Sequence, residues 1–133
     1  MSRSGYTEDY DSEWQLICWR GAVASAIRGK RGQAFFKEML AALDALPEKR
    51  LIRGELEVDG KVCALGAVGR IRGMDMSAID PDDYHGVAVA FGIPRALAQE
   101  IMHENDDPAY WVEDSAEKRY ERVRCWVKEQ IRE

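Results

Sequence analysis

A mainly α fold, a single compact helical domain of about five to six helices with one small β-hairpin, is predicted by three observations. Apolar residues recur at three- and four-residue spacing along most of the 133-residue chain. Period-two alternation is confined to "GELEVDGKVCAL", where it breaks at Asp59-Gly60, the strongest short hairpin signal. Glycine and proline punctuate the helical stretches, at Gly29, Pro47 and Gly92. The length fits one domain, and an apolar fraction of 46% supplies a core without disulfides or metal. Residues 12–133 are expected to form it, and residues 1–11, "MSRSGYTEDYD", a flexible acidic N-terminal arm.

The first helix is expected from an N-cap at Ser12 to about Arg28. Trp14, Leu16, Ile17, Trp19, Val23 and Ile27, interleaved with Gly21, Ala22, Ala24 and Ala26, cover nearly its whole circumference. That distribution predicts a central, buried helix, closely approached at Gly21 and Ala24 and able to support self-association. The second helix, from about Gln33 to Leu46, carries a stripe of Phe36, Met39, Leu40, Leu43 and Leu46 and stops at Pro47. A two-residue turn at Asp59-Gly60 places Leu56, Val58, Cys63 and Leu65 on one face. The stretch "CALGAVGRIRG" suits a short, glycine-weakened helix or a strand, and the helix is favoured. After a loop, Asp80-Pro81 opens a helix over 82–91, and a second runs from Pro94 to about Asn105. The last helix opens with Asp114 and Glu117 at capping-box spacing and carries Tyr120, Val123, Val127 and Ile131 on one stripe.

Charge is unevenly spread. Residues 1–19 hold one cation and four anions, residues 20–72 eleven cations and six anions, and residues 73–133 seven cations and fourteen anions. Such segregation fits two surfaces for oppositely charged partners, or two halves that attract one another. Cys18, Cys63 and Cys125 are odd in number and widely spaced, which argues for free thiols in a reducing cytoplasm. No apolar run reaches the length of a membrane span and no signal peptide is evident, so a soluble cytoplasmic protein with no membrane partner is expected.

Motifs for chemistry are sparse. "IRGKRG" fails as a P-loop, because Gly29-Lys30 is followed by Arg31 and no glycine stands five residues before Gly29. It is expected as a helix corner capped by Gly29, whose cations Arg28, Lys30 and Arg31 can face an anionic partner. No H-E-x-x-H, G-x-S-x-G or zinc-ligand spacing occurs, so no catalytic residue, metal or cofactor is assigned, and a non-enzyme is expected. The cluster "HENDD", His103 to Asp107, lies at a helix end, where polar residues are normal. "DDPAYWVED" reads as an acidic loop in which Tyr110 and Trp111 would be interface anchors.

"VAVAFGIPRALAQEIM" resembles the helix-turn-helix of DNA-binding regulators. Gly92 stands at the turn, Ala88 four residues before it, and Val87, Phe91, Ile93, Ala98 and Ile101 at the apolar positions. The second helix would offer Arg95, Gln99 and His103 to base edges. Glu100, Glu104, Asp106 and Asp107 oppose it, because affinity for DNA rests on cations facing phosphates. Nucleic acid is therefore the disfavoured partner.

The stretches "WRGAVASAIRGKRGQAFFKEMLAALDALPEKRLI", "DGKVCALGAVGR", "FGIPRALAQEIMHEND" and "RYERVRCWVKEQI" together resemble a group of small uncharacterised proteins encoded by bacteriophages and prophages. The resemblance covers most of the chain from Trp19 onward and carries no activity or catalytic residue with it. It implies expression in an infected bacterium, where such proteins often bind a host protein, including defence components. The expected function is a non-enzymatic accessory protein that binds a host protein stoichiometrically through Arg28, Lys30, Arg31, Tyr110 and Trp111. The alternative is a helix-turn-helix regulator.

Overall fold

The computed structural model describes residues 3, 13–106 and 114–132, so Ser12, Tyr110, Trp111 and all of the N-terminal arm except Arg3 lie outside the described residues. In chain order the elements are α1 (Glu13–Arg28), α2 (Lys30–Ala45), the hairpin β1 (Glu57–Val58) and β2 (Lys61–Val62), α3 (Ala64–Arg72), a 3-10 turn (Met76–Ala78), α4 (Tyr84–Phe91), α5 (Arg95–Asp106) and α6 (Ala116–Gln130). The mainly helical class with one small antiparallel hairpin is thus observed. The ambiguous stretch after Cys63 is helical.

The core is organised around α2, not α1. Phe36, Met39 and Leu43 are completely buried on α2, against Leu65 and Val68 of α3 and Val123 and Val127 of α6. Leu97, Ile101 and Met102 of α5 join the same cluster. Phe36 meets Trp126 of α6 edge to face, with ring centroids 5.4 Å apart. The first helix is instead peripheral, which corrects the expectation of a central helix. It rests on α5 and on α2, buries Trp19 and Val23, and leaves Trp14 71% and Ile17 57% exposed. Its all-round apolar pattern misleads for a physical reason. Gly21, Ala22 and Ala24 score as apolar but carry little surface to bury, so two large residues settle which face turns inward.

The close approach expected at Gly21 and Ala24 falls elsewhere. Gly21 is open, with nothing within 4 Å of a Cβ built there. At Gly32 such a Cβ would lie 1.9 Å from the Ala26 carbonyl oxygen, and at Gly66 2.0 Å from that of Leu56. These two glycines let α2 fold back against α1 and seat α3 under the hairpin.

Three boundaries differ from expectation. Gly29 has an extended backbone and is the N-cap of α2, so α2 begins at Lys30 rather than Gln33. The left-handed caps are Gly73 and Gly92. Asp80 accepts from the Asp82 amide in a turn, and α4 starts later, capped by Asp83. Ser115, not Asp114, caps α6, its side chain accepting from the Lys118 amide. The hairpin turns at Asp59 (φ 52°) and Gly60 (φ 78°) as predicted, with Glu57 paired to Val62 and Val58 to Lys61. Leu56, Cys63 and Leu65 are buried but Val58 is exposed, and Val62 takes the inward place.

Candidate functional site

Two helices joined at Gly92, α4 and α5, pack on one another. Gly92 adopts the left-handed conformation (φ 72°), and Val87, Ala88, Phe91, Ala98 and Ile101 are buried. The three residues assigned to base edges do not converge. Arg95 is exposed and stands over the Tyr84 ring, 6.0 Å from its centroid. His103 is half-buried, and Gln99 is 3% exposed beneath α1, where its Oε1 accepts from Trp19 Nε1 at 3.2 Å. The face of α5 that would enter a DNA groove is the face on which α1 lies. Sequence spacing identified the motif but carried no signal that a helix 80 residues earlier covers it.

Of the "HENDD" cluster, Asn105 and Asp106 hold the fold together, and Asp107 lies outside the described residues. Asn105 Oδ1 accepts from the Ala64 amide at 3.0 Å, and its Nδ2 donates to the Ile52 carbonyl at 2.9 Å and to Asp106 Oδ1 at 2.8 Å. Asp106 also accepts from the Gly54 amide at 3.1 Å and from Arg3, whose Nε and Nη2 reach its two oxygens at 2.5 and 3.0 Å. Burial raises the Asp106 carboxyl, but the Arg3 guanidinium, Asn105 and the Gly54 amide outweigh it and hold the group below the usual carboxylate range. The knot ties the end of α5 to the start of α3, the loop before the hairpin and residue 3. No group of three His, Cys, Asp or Glu side chains close enough to hold a metal occurs among the described residues. No helix among them is long and apolar enough to cross a membrane.

The cations of the opening corner separate. Arg31 lines a shallow depression with Phe35, Arg72 and Phe91, where Arg72 is already paired with Glu38 at 2.6 Å. Arg28 turns to the other side, into a groove of about 450 Å³ between α1, α5 and the end of α6. Its lining includes Trp19, Val23, Ala24 and Ile27 of α1, with Arg20, Arg28 and Arg132 as its cations. Gln33 builds its end: Nε2 donates to the Ile27 and Gln130 carbonyls, and Oε1 accepts from the Arg132 amide at 2.8 Å. Arg20 and Arg132 were not singled out in the sequence. They stand 112 positions apart, and only the return of α6 to α1 joins them.

A second cleft of about 370 Å³ between the hairpin turn and the start of α6 also holds cations, but two of them are answered. Arg50 pairs with Glu117 at 2.7 Å and Arg70 with Glu57 at 3.8 Å. In the α1 groove no ion pair within 4.0 Å engages Arg20, Arg28 or Arg132 among the described residues. Glu100 forms its α5 wall. Burial, and then the neighbouring Glu104, push its carboxyl up to about 7, against the pull of Arg20. Near neutral pH the groove is therefore less compensated than a count of charges implies.

Comparison of the chain with protein-family models, with curated proteins and with solved structures finds no match to any of them.

Proposed function

We propose that the protein is a non-enzymatic, phage-type accessory protein that binds a bacterial host protein stoichiometrically, and that it does so through the α1 groove. The observation that carries this reading is the set of three arginines, Arg20, Arg28 and Arg132, around an apolar floor of Trp19, Val23 and Ile27, without ion-pair partners among the described residues. Such a surface fits an acidic segment with an apolar anchor, because desolvated arginine–carboxylate contacts add specificity to apolar burial. Of the corner cations first assigned to the partner, Arg28 belongs to this surface and Arg31 faces another.

Affinity capture from bacterial lysate with the wild type and an Arg20→Glu/Arg28→Glu variant side by side tests the proposal. A protein recovered in stoichiometric amount with the wild type and lost with the variant supports it. Equal recovery with both, or no recovery, overturns it. The DNA reading gains no support from the geometry, since Gln99 is buried under α1.

A further inference from the structure

Where the hairpin runs into α3, the chain buries a thiol. Cys63 is completely inaccessible and is the N-cap of α3, its Sγ accepting from the Gly66 amide at 3.3 Å. Its own amide donates to the Leu56 carbonyl at 3.2 Å, and its carbonyl accepts from the Ala67 amide at 2.9 Å, so the backbone fixes where the sulfur sits. Sulfur is a weak acceptor, and an oxygen-bearing residue would cap the helix better.

A second observation comes from the guanidinium beside it. The Arg3 side chain is 2% exposed, and its Nε and Nη2 are both engaged by Asp106. Nη1, on the other side of the fork, is buried and has no hydrogen-bond partner among the described residues. The Cys63 thiol lies beside this same guanidinium. A buried N–H without an acceptor is unfavourable, and a thiol sulfur answers it poorly. An oxygen atom carried on that sulfur would answer it.

We propose that Cys63 is an oxidation site, whose thiol takes one oxygen from a hydroperoxide to give a sulfenic acid held by Arg3 Nη1 and the Gly66 amide. The sulfur lone pair attacks one peroxide oxygen, so that an S–O bond forms as the O–O bond breaks. The departing hydroxide takes up the thiol proton and leaves as water. Sulfur gives up two electrons, and the peroxide receives them. Negative charge developing on the attacking sulfur is favoured by the N-terminus of α3 and by the unengaged guanidinium N–H. Cys125, by contrast, is exposed and lies 3.6 Å from Glu129 Oε1, a carboxylate that opposes such charge. Hydrogen peroxide is little larger than water and reaches Cys63 through local opening. Arg3, Cys63, Gly66 and Asp106 do not line the α1 groove, so this inference is independent of the host-protein proposal.

A Cys18→Ser/Cys125→Ser protein isolates Cys63, since both replaced thiols are exposed. It is treated with hydrogen peroxide, the peroxide is removed with catalase, and the chain is unfolded in dimedone. Dimedone adds to sulfenic acid and not to oxidised methionine, so intact mass counts the sulfenic acid. One adduct per chain is expected, forming at a rate that stays flat across urea concentrations below the unfolding transition. Arg3→Lys keeps a charge for Asp106 but not the third nitrogen of the fork. It is expected to slow adduct formation about tenfold or more, the effect of losing a hydrogen bond to a charged group. A midpoint comparison decides the matter even where that variant does not fold. The oxidised protein is expected to keep its urea midpoint, relative to Cys63→Ser treated alike, because the added oxygen meets two donors. Oxidation only as fast as the whole chain unfolds overturns the inference. So does a midpoint lowered by oxidation of Cys63, or an equal rate in a folded Arg3→Lys.

Discussion

Trp19 on α1 donates its indole N–H to Gln99 Oε1 on α5 at 3.2 Å, with both residues almost completely buried. This contact helps to seat α1 on the face of α5 that a DNA-reading helix would present. Two outcomes follow. Gln99→Ala lowers stability by about 1–3 kcal/mol, because the buried Trp19 N–H loses this acceptor, measured by urea melts. The same variant leaves any weak, salt-sensitive attraction to duplex DNA unchanged in a gel shift at low ionic strength, because Gln99 faces α1 rather than solvent.

Gly32 and Gly66 are the tight crossings. A methyl group at either would overlap a carbonyl oxygen, of Ala26 or of Leu56, which belongs to backbone and cannot swing aside. Gly32→Ala and Gly66→Ala therefore each destabilise by about 1–3 kcal/mol or more. Gly21→Ala, in open space within a helix, stabilises the monomer by up to about 1 kcal/mol through helix propensity. Urea midpoints of the three variants check the contrast. Equal midpoints would mean that α2 and α3 do not cross their neighbours as described.

These glycines also mark where sequence legibility stopped. The helix stripe Phe36–Met39–Leu43, the Asp59-Gly60 turn and the α4–Gly92–α5 corner were readable because each rests on spacing within a few residues. The place of α1 was not, since periodicity reports which residues are apolar and not which face finds a neighbour. The site was less legible still. Arg28 was singled out, but its groove partners Arg20 and Arg132 are assembled by chain reversal, and local pattern carries no trace of that. Asn105 and Asp106 read as an ordinary polar helix end because their partners, Arg3, Ile52, Gly54 and Ala64, lie at least 41 positions away.

The Asp106 knot predicts acid sensitivity. Its folded value lies below the ordinary 3.8, so the stability it adds is present above that value and is lost as pH falls through the lower folded one. Asp106→Asn leaves Arg3 buried without its counter-charge, which costs about 3–5 kcal/mol. The difference between wild type and variant is expected near neutrality and shrinks in strong acid. A difference independent of pH would mean that packing alone, rather than the ion pair, carries the contribution of this residue.

Glu100 predicts the opposite slope. Its carboxyl is pushed from 4.5 to about 7 by burial and by Glu104, so the folded protein holds a proton there that the unfolded chain has released. Between those values stability falls as pH rises, because the native state is the one that binds more protons. Part of the group faces solvent in the groove, so screening reduces the effect to about 1–2 kcal/mol by pH 8. Glu100→Gln removes the charge and keeps the shape. It should raise the urea midpoint at pH 8 and leave it unchanged near pH 4, where the wild-type carboxyl is protonated in the folded state. Because Glu100 also faces Arg20 across the groove, the same substitution should strengthen binding of an acidic partner at pH 8 more than at pH 6. A stability gain that is equal at all pH values would assign the effect to packing and remove Glu100 from the electrostatics of the groove.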